Sequence, residues 1–239
     1  MASDQNDRRW EALAKKDPYW AVATWEKFSG ANLTDETRRE FFQTGEDHVH
    51  FVLETIRRRF CSSFKPSSVL EFGCGVGRLL VPFAECGQSV VGVDVSATML
   101  KEARKNCERR GLSNVQLHEL DNLDFSSLRP FDLVHSFIVF QHVPPKRGKM
   151  LLQKLVDLVA PNGIGVLHFT YARKHAKSAS RRFVGKVWRQ MVARWAPSME
   201  MYTYSINELL MILQQRGISR VHVELTDHNF YGALLFFQR

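Results

Sequence analysis

The sequence predicts an α/β domain in which a mostly parallel sheet, covered by helices on both faces, ends in an antiparallel hairpin. Three observations predict it. From Ser67 onward, short β-rich runs alternate with helical stretches, the rhythm of parallel strands joined by crossover helices. The last two β runs, RVHVELTD (220–227) and NFYGALLFF (229–237), follow one another with only a tight turn between them. A length of 239 residues, 44% hydrophobic, suffices for one well-buried domain with additions but is short for two.

The elements follow in chain order. Residues 1–60 read as helical and form an N-terminal cap, with Asp17-Pro18 and Ser29-Gly30 dividing them into short helices. Trp10, Tyr19, Trp20, Trp25, Phe28, Phe41, Phe42 and Phe51 are spread through this cap. VLEF (69–72) is then a strand followed by a helix from about Gly77. SVVGVD (89–94) precedes a helix over 96–110, and VQLH (115–118) leads into a loop. FDLVHSF (131–137) precedes a helix over 146–159. IGVLHFTY (164–171) is the fifth strand, and a helix over 206–216 leads to the hairpin.

Composition narrows the function classes. No apolar run reaches bilayer-spanning length and the first residues do not resemble a secretory signal, so a cytoplasmic protein is the expectation. Cys61, Cys74, Cys86 and Cys107 form no CxxC pair, and the nine histidines are scattered, so neither a disulfide framework nor a metal site is expected. The net charge of +8 is local: 173–194 holds eight of the 33 Lys/Arg and no acid, leaving the rest of the chain balanced. A chain-wide nucleic-acid surface is not expected.

The most informative stretch is VLEFGCGVGRL, residues 69–79. A buried strand carries Glu71, and Gly73, Gly75 and Gly77 then form a turn that opens a helix. Glycine permits left-handed angles and close approach of a ligand to the backbone. In an open α/β sheet this crevice lies beyond the carboxyl ends of the strands, where ligands bind. The spacing is G-x-G-x-G rather than the G-x-G-x-x-G of dinucleotide folds. Asp94 ends the second strand, where a carboxylate can accept hydrogen bonds from both hydroxyls of an unphosphorylated ribose. Asp121 follows the third strand and suits an exocyclic adenine amine.

These elements, with FDLVHSFIVFQHV and LVAPNGIGVLHF, resemble in order and spacing the motifs of class I S-adenosylmethionine (SAM)-dependent methyltransferases, of the bacterial small-molecule, quinone-biosynthesis-like branch. The resemblance is strong over about 67–170 and covers the terminal hairpin in outline. It implies a Rossmann-like seven-stranded sheet, with 61–239 as the methyltransferase domain and 173–202 as an insert. It implies SAM as cofactor and S-adenosylhomocysteine (SAH) as product. Glu71, Gly73, Cys74 and Gly75 would then meet the methionine end, and Asp94 the ribose, with Val95 and Met99 beside the adenine. Asp121, Asn122 and Leu123 would form the adenine rim, and Phe137 would offer its carbonyl to the methionine amine. Arg78 would stand beside them.

SAM supplies its own leaving group, so the protein's task is to position the nucleophile and exclude water. A hydroxyl acceptor also needs a base, and His142 in FQHVPP is the residue to test, because imidazole titrates near neutrality. Oxygen acceptors are slightly favoured for that reason. Tyr19, Trp20, His168, Tyr171 and His228 are candidate acceptor contacts, each with a plain alternative as core or turn residue. The segment FFQTG (41–45) is a second candidate, as a turn meeting the SAM carboxylate.

The basic insert places Phe183, Val187, Met191 and Trp195 at helical spacing, with Arg182, Lys186 and Arg189 opposite. Three readings stand: a lid over the acceptor, an attractor for an anionic acceptor, or a peripheral membrane contact through 181–195. A small-molecule acceptor is the main expectation. A lipid-linked or macromolecular acceptor, or a SAM-binding scaffold without turnover, is the alternative. No RNA-binding module is visible, and FIVFQHVPP stands where base amino-methylases carry NPPY or DPPY.

Overall fold

The computed structural model describes residues 5–174, 200–227 and 230–239. The chain begins with α1 (Gln5–Lys16), α2 (Pro18–Val22) and α3 (Asp35–Arg59). It continues β1 (Ser68–Phe72), α4 (Leu80–Cys86), β2 (Ser89–Asp94), α5 (Ala97–Arg109), β3 (Val115–Glu119), β4 (Phe131–Ser136), α6 (Pro145–Asp157) and β5 (Val159–Arg173). It ends with α7 (Ile206–Gln215), β6 (Arg220–Asp227) and β7 (Phe230–Gln238). One seven-stranded sheet runs in the order β3-β2-β1-β4-β5-β7-β6, parallel from β3 to β5, with β7 antiparallel to both β5 and β6. This is the Rossmann-like seven-stranded sheet expected, with the reversal between β1 and β2 on one side and β4 on the other opening the crevice.

The side-chain period of two divides the sheet between two cores. Val69, Val90, Leu133, Val166 and Leu234 pack under α1, α2, α3, α4 and α5. Their neighbours Leu70, Val91, Val134, Leu167 and Leu235 pack against α6 and α7. The N-terminal helices thus share a core with the sheet: Phe28, Phe41, Val52 and Ile56 are fully buried in the same cluster as Val69 and Leu133.

Several boundaries differ from expectation for physical reasons. The N-terminal region is not uniformly short helices, since α3 runs 25 residues. Thr34 caps it by accepting from the Thr37 amide, Thr37 returns the bond, and Arg57, Arg58 and Arg59 sit at its carboxyl end. FFQTG is therefore mid-helix, not a turn. Gly45 is there because a Cβ would stand 2.0 Å from the Arg78 carbonyl oxygen. The helix after β1 starts at Leu80 rather than Gly77, whose φ of 91° is incompatible with a helix. β5 starts five residues early, passing Asn162 at φ 64°, and is longer than the run 164–171. The hairpin turn residues 228–229 and the helical stretch read within the basic insert (175–199) lie outside the described residues.

Candidate functional site

The glycine turn, the ends of β2 and β4 and the first turns of α1 enclose one cavity. Gly73, Gly75 and Gly77 all have positive φ (76°, 53° and 91°), so the backbone curls tightly as it leaves β1. The Gly73 and Cys74 amides donate to the Val93 carbonyl at 2.7 and 3.0 Å, and the Gly75 amide donates to Asp94 Oδ2 at 2.8 Å. Asp94 Oδ1 accepts from the Ser96 amide at 2.9 Å. Asp94 thus ties the glycine turn to the start of α5 while its carboxylate lies in the cavity wall with Val95 and Met99. Burial raises its pKa to about 6, against the opposing pull of the Ser96, Gly75 and Val95 amides.

Glu71 and Arg78 stand together at the other end. Glu71, 1% exposed, meets His135 Nδ1 at 2.6 Å. Burial raises its pKa, with His135 and Arg78 acting in the opposite sense. Burial lowers the Arg78 guanidinium to about 10 while Glu71 pulls it back. Its Nη1 donates to the Thr44 carbonyl at 3.4 Å and Oγ1 at 3.3 Å, but its buried Nε has no hydrogen-bond partner among the described residues. A buried acid beside a buried base with donor capacity left over is the pattern that a zwitterionic amino-acid group would satisfy.

The third wall comes from the chain leaving β4. Phe137, Ile138 and Val139 line the cavity, and Ile138 adopts φ 60°, a strained value for a β-branched side chain. Val139 presses on Gly73, where a Cβ would stand 2.2 Å from Val139 Cγ2. His142, the expected base, also lines the cavity. Burial drops its pKa to about 4, with the Glu200 carbonyl acting in the opposite sense. Nδ1 lies 3.2 Å from that carbonyl and Nε2 lies 3.0 Å from the Gln141 amide nitrogen. Both ring nitrogens are engaged.

Other expected residues fall elsewhere. Leu120 forms the wall after β3, whereas Asp121 and Asn122 are exposed and Leu123 packs against the α6–α7 core. Tyr19 is turned away under α5: its hydroxyl contacts Glu102 at 3.1 Å, Asn106 at 3.0 Å and Arg38 at 2.5 Å. Trp20 packs on the α1–α5 core, and it is the following Ala21 and Val22 that line the cavity. His168 bonds Thr226 Oγ1 at 2.7 Å and Tyr171 stacks on Tyr231 at 6.3 Å, both outside the cavity wall. None of Tyr19, Trp20, His168 and Tyr171 lines the cavity. His228 lies outside the described residues.

Sequence reasoning placed α1 in the helical cap but assigned none of its residues to the cavity. Asn6, Asp7 and Trp10 line the cavity, with Arg147 of α6 opposite and paired to Asp7 at 2.8 Å. The Asn6 amide donates to the His142 carbonyl, and Trp10 meets the His142 ring edge-on at 4.9 Å. Glu11 fixes the helix in place by accepting from Ser96 Oγ at 2.6 Å, Thr98 Oγ1 at 2.6 Å and the Thr98 amide at 3.2 Å. The spacing of Asn6, Asp7 and Trp10 marks one helical face, but nothing local says what that face covers.

Known proteins resemble this chain in both sequence and fold. Residues 69–163 match the family model described as a methyltransferase domain. The chain is 30% identical over 159 residues to a ubiquinone biosynthesis O-methyltransferase of Rhodopseudomonas palustris (strain TIE-1), covering 62% of this chain and 58% of that protein. It is 29% identical over 161 residues to the enzyme of the same name from Dinoroseobacter shibae, covering 66% and 62%. The matches thus span under two thirds of these relatives' length. Among solved structures, magnesium protoporphyrin IX methyltransferase from Synechocystis PCC 6803 with bound SAH superposes at a TM-score of 0.63, with 20% identity, covering 98% of this chain and 100% of that one. An N-methyltransferase from Bradyrhizobium japonicum WM9 in complex with SAH superposes at 0.59, with 16% identity, covering 99% of each. At these identities the structures establish the fold.

Proposed function

We propose, from the premise that this chain carries a class I SAM-dependent methyltransferase domain, that it methylates an oxygen of a small-molecule acceptor. The observation that carries the reading is the cavity itself. A ribose-height carboxylate (Asp94), an apolar wall for a flat base (Val95, Met99, Leu120) and an acid–base pair (Glu71, Arg78) line it together. SAM would occupy it with its ribose on Asp94, its ammonium toward Glu71 and the Phe137 carbonyl, and its carboxylate toward Arg78. When bound it supplies a methyl group on a positively charged sulfur, which leaves as neutral thioether.

The chain's own residues bind, orient and exclude water. Trp10, Val22 and Val139 close the cavity with apolar surface, and the Asp7–Arg147 pair neutralises two charges in its wall. Neutral at pH 7, His142 holds the turn after β4 against Glu200, so its arrangement favours positioning over proton abstraction. Asp121, Asn122 and Leu123 remain proposed contacts for the adenine edge, reached past Leu120. The basic stretch 173–194 favours an anionic acceptor, and the membrane-contact reading of 181–195 is its competitor. Replacing Arg181, Arg182, Lys186 and Arg189 by Gln separates them, since only the second requires wild-type chain to sediment with anionic vesicles.

The reading is tested by calorimetry with SAH. Micromolar binding is expected, with none to a nicotinamide dinucleotide; absence of SAH binding would end it. Among the described residues no helix is long and apolar enough to cross a membrane, and no cluster of three or more His, Cys, Asp or Glu is arranged to hold a metal.

A further inference from the structure

We infer, on the reading just given, that His48 and His135 are positioning residues that hold the Glu71 carboxylate ready for the cofactor's ammonium. Neither histidine lines the cavity, yet they form a hydrogen-bonded line into it. His135 Nδ1 is 2.6 Å from Glu71 Oε2, and His135 Nε2 is 3.1 Å from His48 Nε2. His135 is fully buried in β4 beside β1, where register pairs it directly with Glu71, and His48 is half-buried on α3.

With Glu71 ionised, hydrogen-bonding capacity sets the direction of the protons. A carboxylate accepts, so His135 Nδ1 carries its proton toward Glu71. A neutral His135 then has a lone pair at Nε2, which the facing His48 Nε2–H fills. Without such a donor a carboxyl this deeply buried favours its neutral form, which has no charge to offer an ammonium.

Helix α3 is built for this. Thr44 and His48 lie one turn apart on one face, and Gly45 between them lets the helix close onto the Arg78 carbonyl. Thr44 accepts from Arg78 while His48 serves His135, so one helix face supports both members of the acid–base pair. The other groups facing His135 are the Phe83 ring of α4 at 5.1 Å and the His48 ring at 5.2 Å. His48 also lies on Phe137, centroid to centroid 4.0 Å, so it touches a second residue of the methionine end.

The test compares two ligands on the full chain. SAH carries the ammonium; 5′-methylthioadenosine keeps the nucleoside and sulfur but lacks the amino-acid end. Substituting the fully buried His135 risks the fold, so the variants are His48→Phe, which cannot donate, and His48→Gln, whose amide can. His48→Phe is expected to weaken SAH about tenfold, the scale of one charge-assisted hydrogen bond, and leave methylthioadenosine within about twofold. His48→Gln is expected to recover most of the SAH affinity. Equal loss for both ligands, no loss for either, or no recovery in His48→Gln overturns the inference. Wild-type chain that binds neither ligand would instead overturn the methyltransferase reading beneath it.

Discussion

Asp94 shows how one side chain serves structure and binding together. Its oxygens accept from Gly75 and Ser96, yet burial raises its pKa from 3.8 to about 6. If the ribose hydroxyls need the carboxylate, SAH affinity rises between pH 5 and 7, because at pH 5 only about a tenth of the groups are ionised. Asp94→Asn should bind SAH at least tenfold more weakly at pH 7, the scale of one lost hydrogen bond to a charged group, and show no such slope. Calorimetry at several pH values checks both. The stability effect has the opposite sense. A raised native pKa favours the fold fully below pH 3.8, and that contribution is lost as pH rises through 6. His142, lowered to about 4, contributes stability above pH 6.5 that is lost as pH falls through 4, so it does not produce the binding slope between 6 and 7.

At the scale of elements, α3 decides how the glycine turn is backed. Gly45 sits mid-helix, where its helix propensity is poor, because the Arg78 carbonyl occupies the space of a side chain. Gly45→Ala improves local helix propensity by up to about 1 kcal/mol yet forces the helix away from the turn. A net destabilisation of about 1–3 kcal/mol is expected from the clash, measured by urea unfolding, together with weaker SAH binding. A more stable variant would show that α3 shifts freely on the turn. The strand that sequence patterning bounded best, β2, lies between two parallel partners, as β1 and β4 also do.

For the whole molecule, the N-terminal helices and the sheet form one body of apolar contacts. Phe28, Phe41, Val52 and Ile56 have no exposure, and each such side chain contributes about 1.5–3 kcal/mol on burial. Domain stabilities are commonly about 5–15 kcal/mol, so removing residues 1–60 deletes a share comparable with the total. A chain beginning at residue 61 is expected to lack a cooperative thermal transition and to bind a hydrophobic dye. A sharp transition in that truncation would show the sheet to be self-sufficient.

Much of the fold was legible because its signals are local. Strand runs such as SVVGVD, glycines where positive φ is needed, and Pro and capping residues at helix starts depend on neighbours a few positions away. The same locality made it readable that Glu71, Gly73, Gly75, Asp94 and Met99 share one cavity, since they lie close to strand ends. Tertiary structure alone decided what the distant pieces do. It turned Tyr19 under α5, brought Asn6, Asp7 and Trp10 to the cavity, and paired Asp7 with Arg147 across 140 positions. It also took His142 out of the neutral-pH range, because a histidine's titration is set by the solvent and partners around it, which chain spacing does not encode.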